Sequence, residues 1–265
     1  MYKKMHELSR FLDKIYKSDS DYSFAKVLDQ VYLCLESGMP AFTEFLDPMR
    51  RQYAQTNLKG LDKFDIVMTE DGGYPDAERK MLGFIMEDAK LTDYPIAKIL
   101  VEYDAKHARP VHSDFLGAVL GLGLDRSVIG DIVMLPSSTV IMAESHIADF
   151  LLGSLHKVGK IGVSTSRLPD GAHFFGLDNR VTDRLICASL RLDNVLAATF
   201  GLSRGEAANL AKSGKALINW QEANSASKTV KEGDMLTLRK FGRIQIAEIV
   251  GKSRKDHFLI DIIRF

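Results

Sequence analysis

Residues 191–220, RLDNVLAATFGLSRGEAANLAKSGKALINW, contain two short helical segments separated by strong stop and start signals. The first segment places its apolar residues on one face and meets a helix-ending glycine at Gly201. Ser203 and Glu206 then fit a capping box, and Gly214 is placed to end the second helix in a left-handed conformation. An apolar run follows. The pattern predicts two packed helices followed by a small β structure.

Basic residues mark the ends of both predicted helices, where their side chains are expected to remain solvent-facing. They are Arg191, Arg204, Lys212 and Lys215. Helix N-termini and clustered Arg/Lys side chains both favour phosphate oxygens. The arrangement predicts RNA binding, with a folded backbone recognised by its shape.

A second basic run, Arg239, Lys240 and Arg243, surrounds Phe241 just after a predicted strand. Such a run can hold phosphates while its aromatic ring stacks on a base. The alternative is a charged hairpin in which Phe241 is buried. The residues alone leave both interpretations open.

The charge distribution favours a polyanionic partner for the C-terminal part. Residues 180–265 hold 15 Lys/Arg against 9 Asp/Glu, whereas the other 179 residues hold 20 against 26. A basic module on a mildly acidic body is typical of nucleic-acid binding, although a solvated charged face is the simpler alternative.

Composition indicates a cytoplasmic protein without cofactors. The two cysteines, Cys34 and Cys187, lie far apart, which predicts neither a disulfide framework nor a zinc site and fits a reducing cytosol. The histidines are poorly spaced to share a metal. No signal peptide and no membrane-spanning run is expected.

We expect an α+β chain of three domains: residues 1–90, 91–179 and 180–265. The first is predicted as an N-terminal α/β domain, in which segment 77–88 pairs back on a strand at 64–68. The second shows the order β-α-β-β-α-β, which is typical of ferredoxin-like and RRM-like domains. Its strands offer few aromatic residues for stacking bases, which favours a scaffold or protein-contact role.

Two glycines of the middle domain could be mistaken for part of a nucleotide-binding loop. Gly117 and Gly121 lie four residues apart on a predicted helix and lack the surroundings of a nucleotide-binding loop. Their spacing is therefore interpreted as close helix packing.

The C-terminal part resembles the RNA-binding domain first known in ribosomal protein S4. The matching positions are Arg191-Leu192-Asp193, Ser203-Arg204, Ala207-Ala208, Ser213-Gly214-Lys215, Asn219, Val230 and Gly233-Asp234. An R-L-D tripeptide also carries the catalytic aspartate of pseudouridine synthases, but there it belongs to a separate large domain. Only 72 residues follow Asp193, too few for such a domain. We interpret Asp193 as a helix-start residue that orients a nearby arginine.

The whole chain resembles the bacterial YlmH family, whose C-terminal domain is S4-like (αL). The matching stretches are 45–48, 77–81, 112–132, 191–215 and 239–246. Ser113 stands where a basic residue is expected in the family, which weakens a role for the central helix in binding RNA. Ala211 replaces a commoner isoleucine.

The resemblance implies a non-enzymatic protein that associates with the large ribosomal subunit, binding ribosomal RNA and tRNA. The implied role is the handling of stalled translation, with peptidyl-tRNA as a partner. Apart from the resemblance, the first two domains are candidates for contacts with protein partners. Two alternatives remain open. One is an RNA-modifying enzyme guided by the S4-like domain, and the other is an adaptor linked to cell division.

Overall fold

The computed structural model describes residues 2–18, 22–89, 93–104, 110–172, 181–223 and 225–264. The chain forms two compact units, Met1–Leu177 and Asp178–Phe265. Helix and strand are mixed in both units, which confirms the α+β class. No helix of the described residues is long and apolar enough to cross a membrane.

The first part of unit one packs three helices around a small sheet. Its elements are α1 (Tyr2–Ser18), α2 (Tyr22–Ser37), β1 (Ala41–Phe42), α3 (Pro48–Asn57), β2 (Ile66–Asp71) and β3 (Met81–Met86). The strands lie in the order β1-β3-β2. β3 pairs antiparallel with β2, with Met68 opposite Phe84, so the predicted back-pairing is confirmed. Asp47 caps α3 by accepting a hydrogen bond from the backbone N–H of Arg50 at 2.9 Å.

The second part of unit one has the predicted β-α-β-β-α-β order, with a small hairpin inserted before the last strand. Its elements are β4 (Ile96–Glu102), α4 (His112–Gly121), β5 (Ile129–Met134), β6 (Ser138–Glu144), α5 (Ala148–Ser154), β7 (Lys157–Val158), β8 (Ile161–Gly162) and β9 (Ser164–Arg167). The sheet order β5-β6-β4-β9 is antiparallel throughout. Counted along the domain this is 2-3-1-4, the ferredoxin-like arrangement, and the RRM-like prediction is confirmed.

Apolar packing covers both faces of this four-stranded sheet. One face joins α4 and α5 in a core that includes Ile99, Ile141 and Phe115. The opposite face packs Val140 and Met142 against residues from the first part of the unit, among them Phe45, Met81, Tyr74 and Tyr94. The first and second parts of unit one therefore share a core. The boundary predicted between residues 90 and 91 falls inside this unit, and the three-domain division stays a prediction.

A partly buried polar cluster adds to this shared core. Asp131 on β5 accepts hydrogen bonds from the Tyr74 hydroxyl at 2.9 Å and from the backbone N–H groups of Glu78 and Arg79 at 2.7 and 3.2 Å. The Arg79 guanidinium donates to the carbonyl oxygen of Phe45 at 2.7 Å. Burial raises the pKa of Asp131. These hydrogen bonds satisfy polar groups that would otherwise lack partners within the apolar packing.

The glycines of α4 do not serve close packing. A Cβ atom added at Gly117 or at Gly121 would meet nothing within 4 Å, and both residues are exposed. The packing interpretation of these glycines is wrong. Phe115 and Val119, both fully buried, form the inward face of the helix instead.

Unit two places two short helices on one face of a six-stranded sheet. Its elements are β10 (Val181–Cys187), α6 (Leu192–Phe200), α7 (Arg204–Lys212), β11 (Ala216–Ile218), β12 (Gln221–Glu222), β13 (Met235–Leu238), β14 (Gly242–Lys252) and β15 (Phe258–Arg264). The sheet order is β10-β15-β14-β13-β11-β12. Leu192 and Leu196 of α6 join Ala207 of α7 and Leu238 and Ile244 of the sheet in one core.

Candidate nucleic-acid interface

The Asp193 carboxylate joins the starting ends of α6 and α7. It is 3% exposed and accepts hydrogen bonds from Arg191 Nε at 3.1 Å and Arg191 Nη2 at 2.8 Å. Arg204 Nε lies 3.3 Å from the same carboxylate. The two arginines remain 39% and 58% exposed at their side chains. A buried carboxylate thus holds two solvent-facing guanidinium groups beside each other.

Local sequence explains how the two arginines reach this position. Arg191 is the N-cap of α6, and the start of that helix is held by a hydrogen bond from Asp193 N to the carbonyl oxygen of Ala226 at 3.0 Å. Ser203 caps α7 by accepting from Glu206 N at 3.2 Å, while Glu206 accepts from Ser203 N at 2.9 Å. The predicted capping box is confirmed. It makes Arg204 the first residue of α7.

The same contacts fix the charge state of the cluster. The hydrogen bonds from Arg191, with a further contribution from Arg204, hold the pKa of Asp193 below its usual value despite burial. The Asp193 carboxylate in turn raises the pKa of Arg191. Asp193 is therefore ionised at neutral pH, and its two oxygens are occupied by arginine donors. This agrees with its interpretation as a residue that orients arginines.

A second basic group forms where α7 ends and β11 begins. Arg239 N donates to the carbonyl oxygen of Lys215 at 2.9 Å, which places the two residues side by side. Arg239 Nη2 also lies 3.3 Å from Glu222 Oε1, and both side chains are more than half exposed. Lys212 is exposed in the last turn of α7.

The tip of the β13–β14 hairpin extends this second group. Lys240 takes a left-handed conformation with φ 76°, and Phe241 N donates to the carbonyl oxygen of Leu238 at 2.9 Å to close a tight turn. Phe241 is 47% exposed. The alternative of a hairpin with Phe241 buried is wrong.

Arg243 lies on the face of the sheet opposite α6 and α7, away from Arg191 and Arg204. Leu238 and Ile244 point into the core beneath the helices, and side chains alternate along a strand. Thr237 and Arg243 are paired across β13 and β14 and so face the opposite side of the sheet. The structure therefore brings Arg191 together with Arg204, and Lys215 with Arg239, but separates Arg243 from the helix side.

Two contacts in this region have no signal in the local sequence. Glu222 is the acidic partner of Arg239, although 17 positions separate them. Phe200, at the end of α6, packs beside Phe241 with ring centroids 6.1 Å apart. Both depend on strand pairing that brings distant segments together.

Among the described residues, no group of His, Cys, Asp or Glu is arranged to hold a metal ion.

Comparison with known families agrees with this architecture. Residues 190–236 match the family model described as "S4 domain", and residues 89–170 match the model described as "Putative RNA-binding domain in YlmH". The first range contains both helices and the Asp193 cluster. Unit two therefore contains an S4 domain, and the chain carries RNA-binding domains.

A curated relative extends the match over most of the chain. "Ribosome-associated protein quality control protein P2" from Bacillus subtilis (strain 168) is 33% identical over 225 residues, covering 84% of this chain and 86% of the relative. A solved structure, "Cell division protein ylmH from Streptococcus pneumoniae", is 22% identical with a TM-score of 0.43, covering 62% of this chain and 92% of the other. The chain belongs to the YlmH family, as its sequence indicates.

Proposed function

We propose that this protein is a non-enzymatic, cytoplasmic RNA-binding factor of the large ribosomal subunit. It binds ribosomal RNA and peptidyl-tRNA and acts in the handling of stalled translation. The observation that carries the proposal is the Asp193 cluster, in which a buried carboxylate presents Arg191 and Arg204 toward solvent at two adjoining helix starts. Two guanidinium groups in a fixed relation suit the phosphates of a folded RNA backbone.

Further support comes from charge and from the relative. Lys212, Lys215, Arg239 and Lys240 are exposed on the same unit, which carries the excess of basic residues. The Bacillus subtilis relative is named as a ribosome-associated quality control protein. Arg243, on the other face of the sheet, would contact RNA only from that side.

A non-enzymatic role is favoured by the state of Asp193. Its carboxylate is buried, ionised and bound to both arginines, so it is not available as a nucleophile toward a base. The described part of the chain also leaves the RRM-like sheet without a free face, because apolar packing covers both sides. Stacking of bases on that sheet is therefore not part of the proposal.

Sedimentation of the tagged protein through a sucrose gradient of cell lysate tests the ribosome assignment. We expect the protein to migrate with the large subunit at low salt and to be released at high salt. Arg191→Ala combined with Arg204→Ala should abolish co-migration, whereas Arg254→Ala combined with Lys255→Ala should not. The control pair removes two exposed cations of the same unit from the β14–β15 turn.

Equilibrium binding to purified large subunits gives a quantitative version of this test. Each lost phosphate contact lowers the slope of log K against log salt by roughly 0.7–0.9. The Arg191/Arg204 variant should therefore show a slope reduced by roughly 1.4–1.8. If affinity and slope were unchanged, the assignment of Arg191 and Arg204 to the binding site would be wrong. A protein that stays at the top of every gradient would refute the ribosomal role.

The enzyme alternative has a separate readout. Modified bases are mapped in ribosomal RNA after incubation with the protein, and we expect none to be added. A new modification that disappears in Asp193→Asn would refute the non-enzymatic assignment.

Pull-downs repeated after RNase treatment separate direct protein partners from RNA-bridged ones. Partners that persist without RNA would favour an adaptor.

A further inference from the structure

An aromatic side chain stands exposed among cations at the tip of the β13–β14 hairpin. Phe241 is 47% exposed, and its neighbours Arg239 and Lys240 are both exposed. Single exposed apolar side chains are common in folded proteins, so the informative feature is the position of this ring in a basic hairpin tip and not its exposure alone. The tip lies outside residues 190–236, which match the S4 domain.

Local geometry holds this ring in place. The tight turn at Lys240 is closed by the hydrogen bond from Phe241 N to Leu238 O at 2.9 Å. The edge of the ring is supported by Phe200, with centroids 6.1 Å apart and planes inclined by 58°. A Cβ atom at Gly242 would lie 3.6 Å from Phe200, and the φ of 135° at Gly242 favours glycine. The hairpin tip therefore rests against the end of α6.

The inclined contact leaves part of the ring surface open to solvent. A flat aromatic surface next to a cation is an arrangement by which proteins stack an unpaired base while binding its phosphate. Paired bases are inaccessible to such a ring, because they are already stacked within a helix. An apolar surface that binds a protein partner would not require a positive charge beside it.

We propose that Phe241, supported by Phe200, is a stacking platform for one unpaired nucleobase of the bound RNA. Lys240, the adjacent residue of the turn, holds the phosphate of that nucleotide. This inference rests on the proposed RNA-binding function and specifies what the hairpin tip recognises. The S4 helices contact the folded backbone through Arg191 and Arg204, and the hairpin adds a preference for a looped-out or single-stranded nucleotide.

Two synthetic RNAs test this preference in the full-length protein. One is a stem closed by an unpaired loop, and the other is the same stem-loop with abasic loop nucleotides. The two carry equal numbers of phosphates and differ in the loop bases. We expect the wild-type protein to prefer the first RNA, and Phe241→Ala to lose that preference, by roughly 5- to 150-fold. The salt slope should not change, because no phosphate contact is removed.

Substitutions that keep the packing separate stacking from stability. Phe241→Leu retains an apolar contact with Phe200 but lacks a flat ring, so it should lose the preference. Phe241→Tyr should keep it. Ile186→Ala removes another exposed apolar side chain of this unit, 60% exposed on β10, and should bind both RNAs like the wild type.

The proposal is overturned if the wild-type protein binds the two RNAs equally, or if Phe241→Leu retains the full preference. If Phe241→Ala lowered the affinity for both RNAs by the same factor, stacking would likewise be contradicted. The results that refute this proposal differ from the results that refute the proposed function. Without a stacking effect, the Arg191/Arg204 variant can still lose the large subunit. Conversely, a loop preference dependent on Phe241 can be found in a protein that does not sediment with ribosomes.

Discussion

Replacement of Asp193 by asparagine tests whether this carboxylate positions the two arginines. Asparagine has nearly the same shape but carries no charge, so it loses the ion pairs with Arg191 and Arg204 while it can still fit the site. A hydrogen bond to a charged group contributes about 1.5–3 kcal/mol, and an acidic residue in the first turn of a helix about 0.3–1 kcal/mol.

Solvent reduces these values, because the arginine side chains are 39% and 58% exposed. We therefore expect Asp193→Asn to lower the free energy of unfolding of unit two by about 1–2 kcal/mol. For a domain of this size the melting midpoint should fall by roughly 5–15 °C. Thermal unfolding at neutral pH, followed by circular dichroism, measures the change.

RNA binding provides the specific readout of positioning. The variant keeps both arginines and gains net positive charge, so its affinity for an unstructured polyuridine RNA should not decrease. Its affinity for large ribosomal subunits should decrease, because the two guanidinium groups are no longer held in a fixed relation. If Asp193→Asn melts and binds subunits like the wild type, the positioning role is wrong.

The pH dependence of stability provides an independent check. The pKa of Asp193 in the folded protein is held below the value of about 3.9 for an unfolded aspartate. Its ionised form therefore stabilises the fold above about pH 4, and this contribution is lost as the pH falls through the folded pKa. The stability difference between wild type and Asp193→Asn should shrink over that acidic range. A constant difference would contradict the ion-pair explanation.

Three further substitutions, two in unit two and one in unit one, are tested by urea unfolding, with Gly205→Ala as a control. Gly214→Ala, just after the end of α7, should cost about 1 kcal/mol or more, because φ is +70° and the new Cβ would lie 3.0 Å from an oxygen of Glu222. The control Gly205→Ala, inside α7, meets nothing within 4 Å and should be neutral or stabilising by up to about 1 kcal/mol. Ser203→Ala removes the cap of α7 and should cost about 1 kcal/mol; no loss would mean that the capping box does not stabilise the helix. Asp131→Asn places an amide group against hydrogen-bond donors and should destabilise unit one by about 1–3 kcal/mol. An unaffected midpoint would contradict its role in the shared core.

Features that depend on neighbouring residues were predictable from the sequence. The capping box at Ser203 and the left-handed glycines after α6 and α7 follow from hydrogen bonds and backbone sterics within a few residues. The same holds for the start of α3 at Asp47. Hydrophobic periodicity was sufficient for the order of elements in the RRM-like part, because each strand or helix buries one face of its own.

Features that depend on contacts between distant segments required the tertiary structure. The sequence predicts an arginine beside Asp193 but not that Arg204, eleven positions away, shares its carboxylate with Arg191. Spacing favoured packed glycines on α4, and the structure leaves them exposed, since the apolar stripe at Phe115 and Val119 sets which face turns inward.

The sequence by itself thus determined the family, the RNA-binding domain and the set of cations available to bind phosphate. Only the tertiary structure decided their geometry. Strand pairing turns Arg243 to the far side of the sheet and brings Lys215 beside Arg239. It also leaves Phe241 exposed against Phe200. Local rules specify which residues form an element, but the direction in which a side chain points depends on the register and packing of segments far apart in the chain.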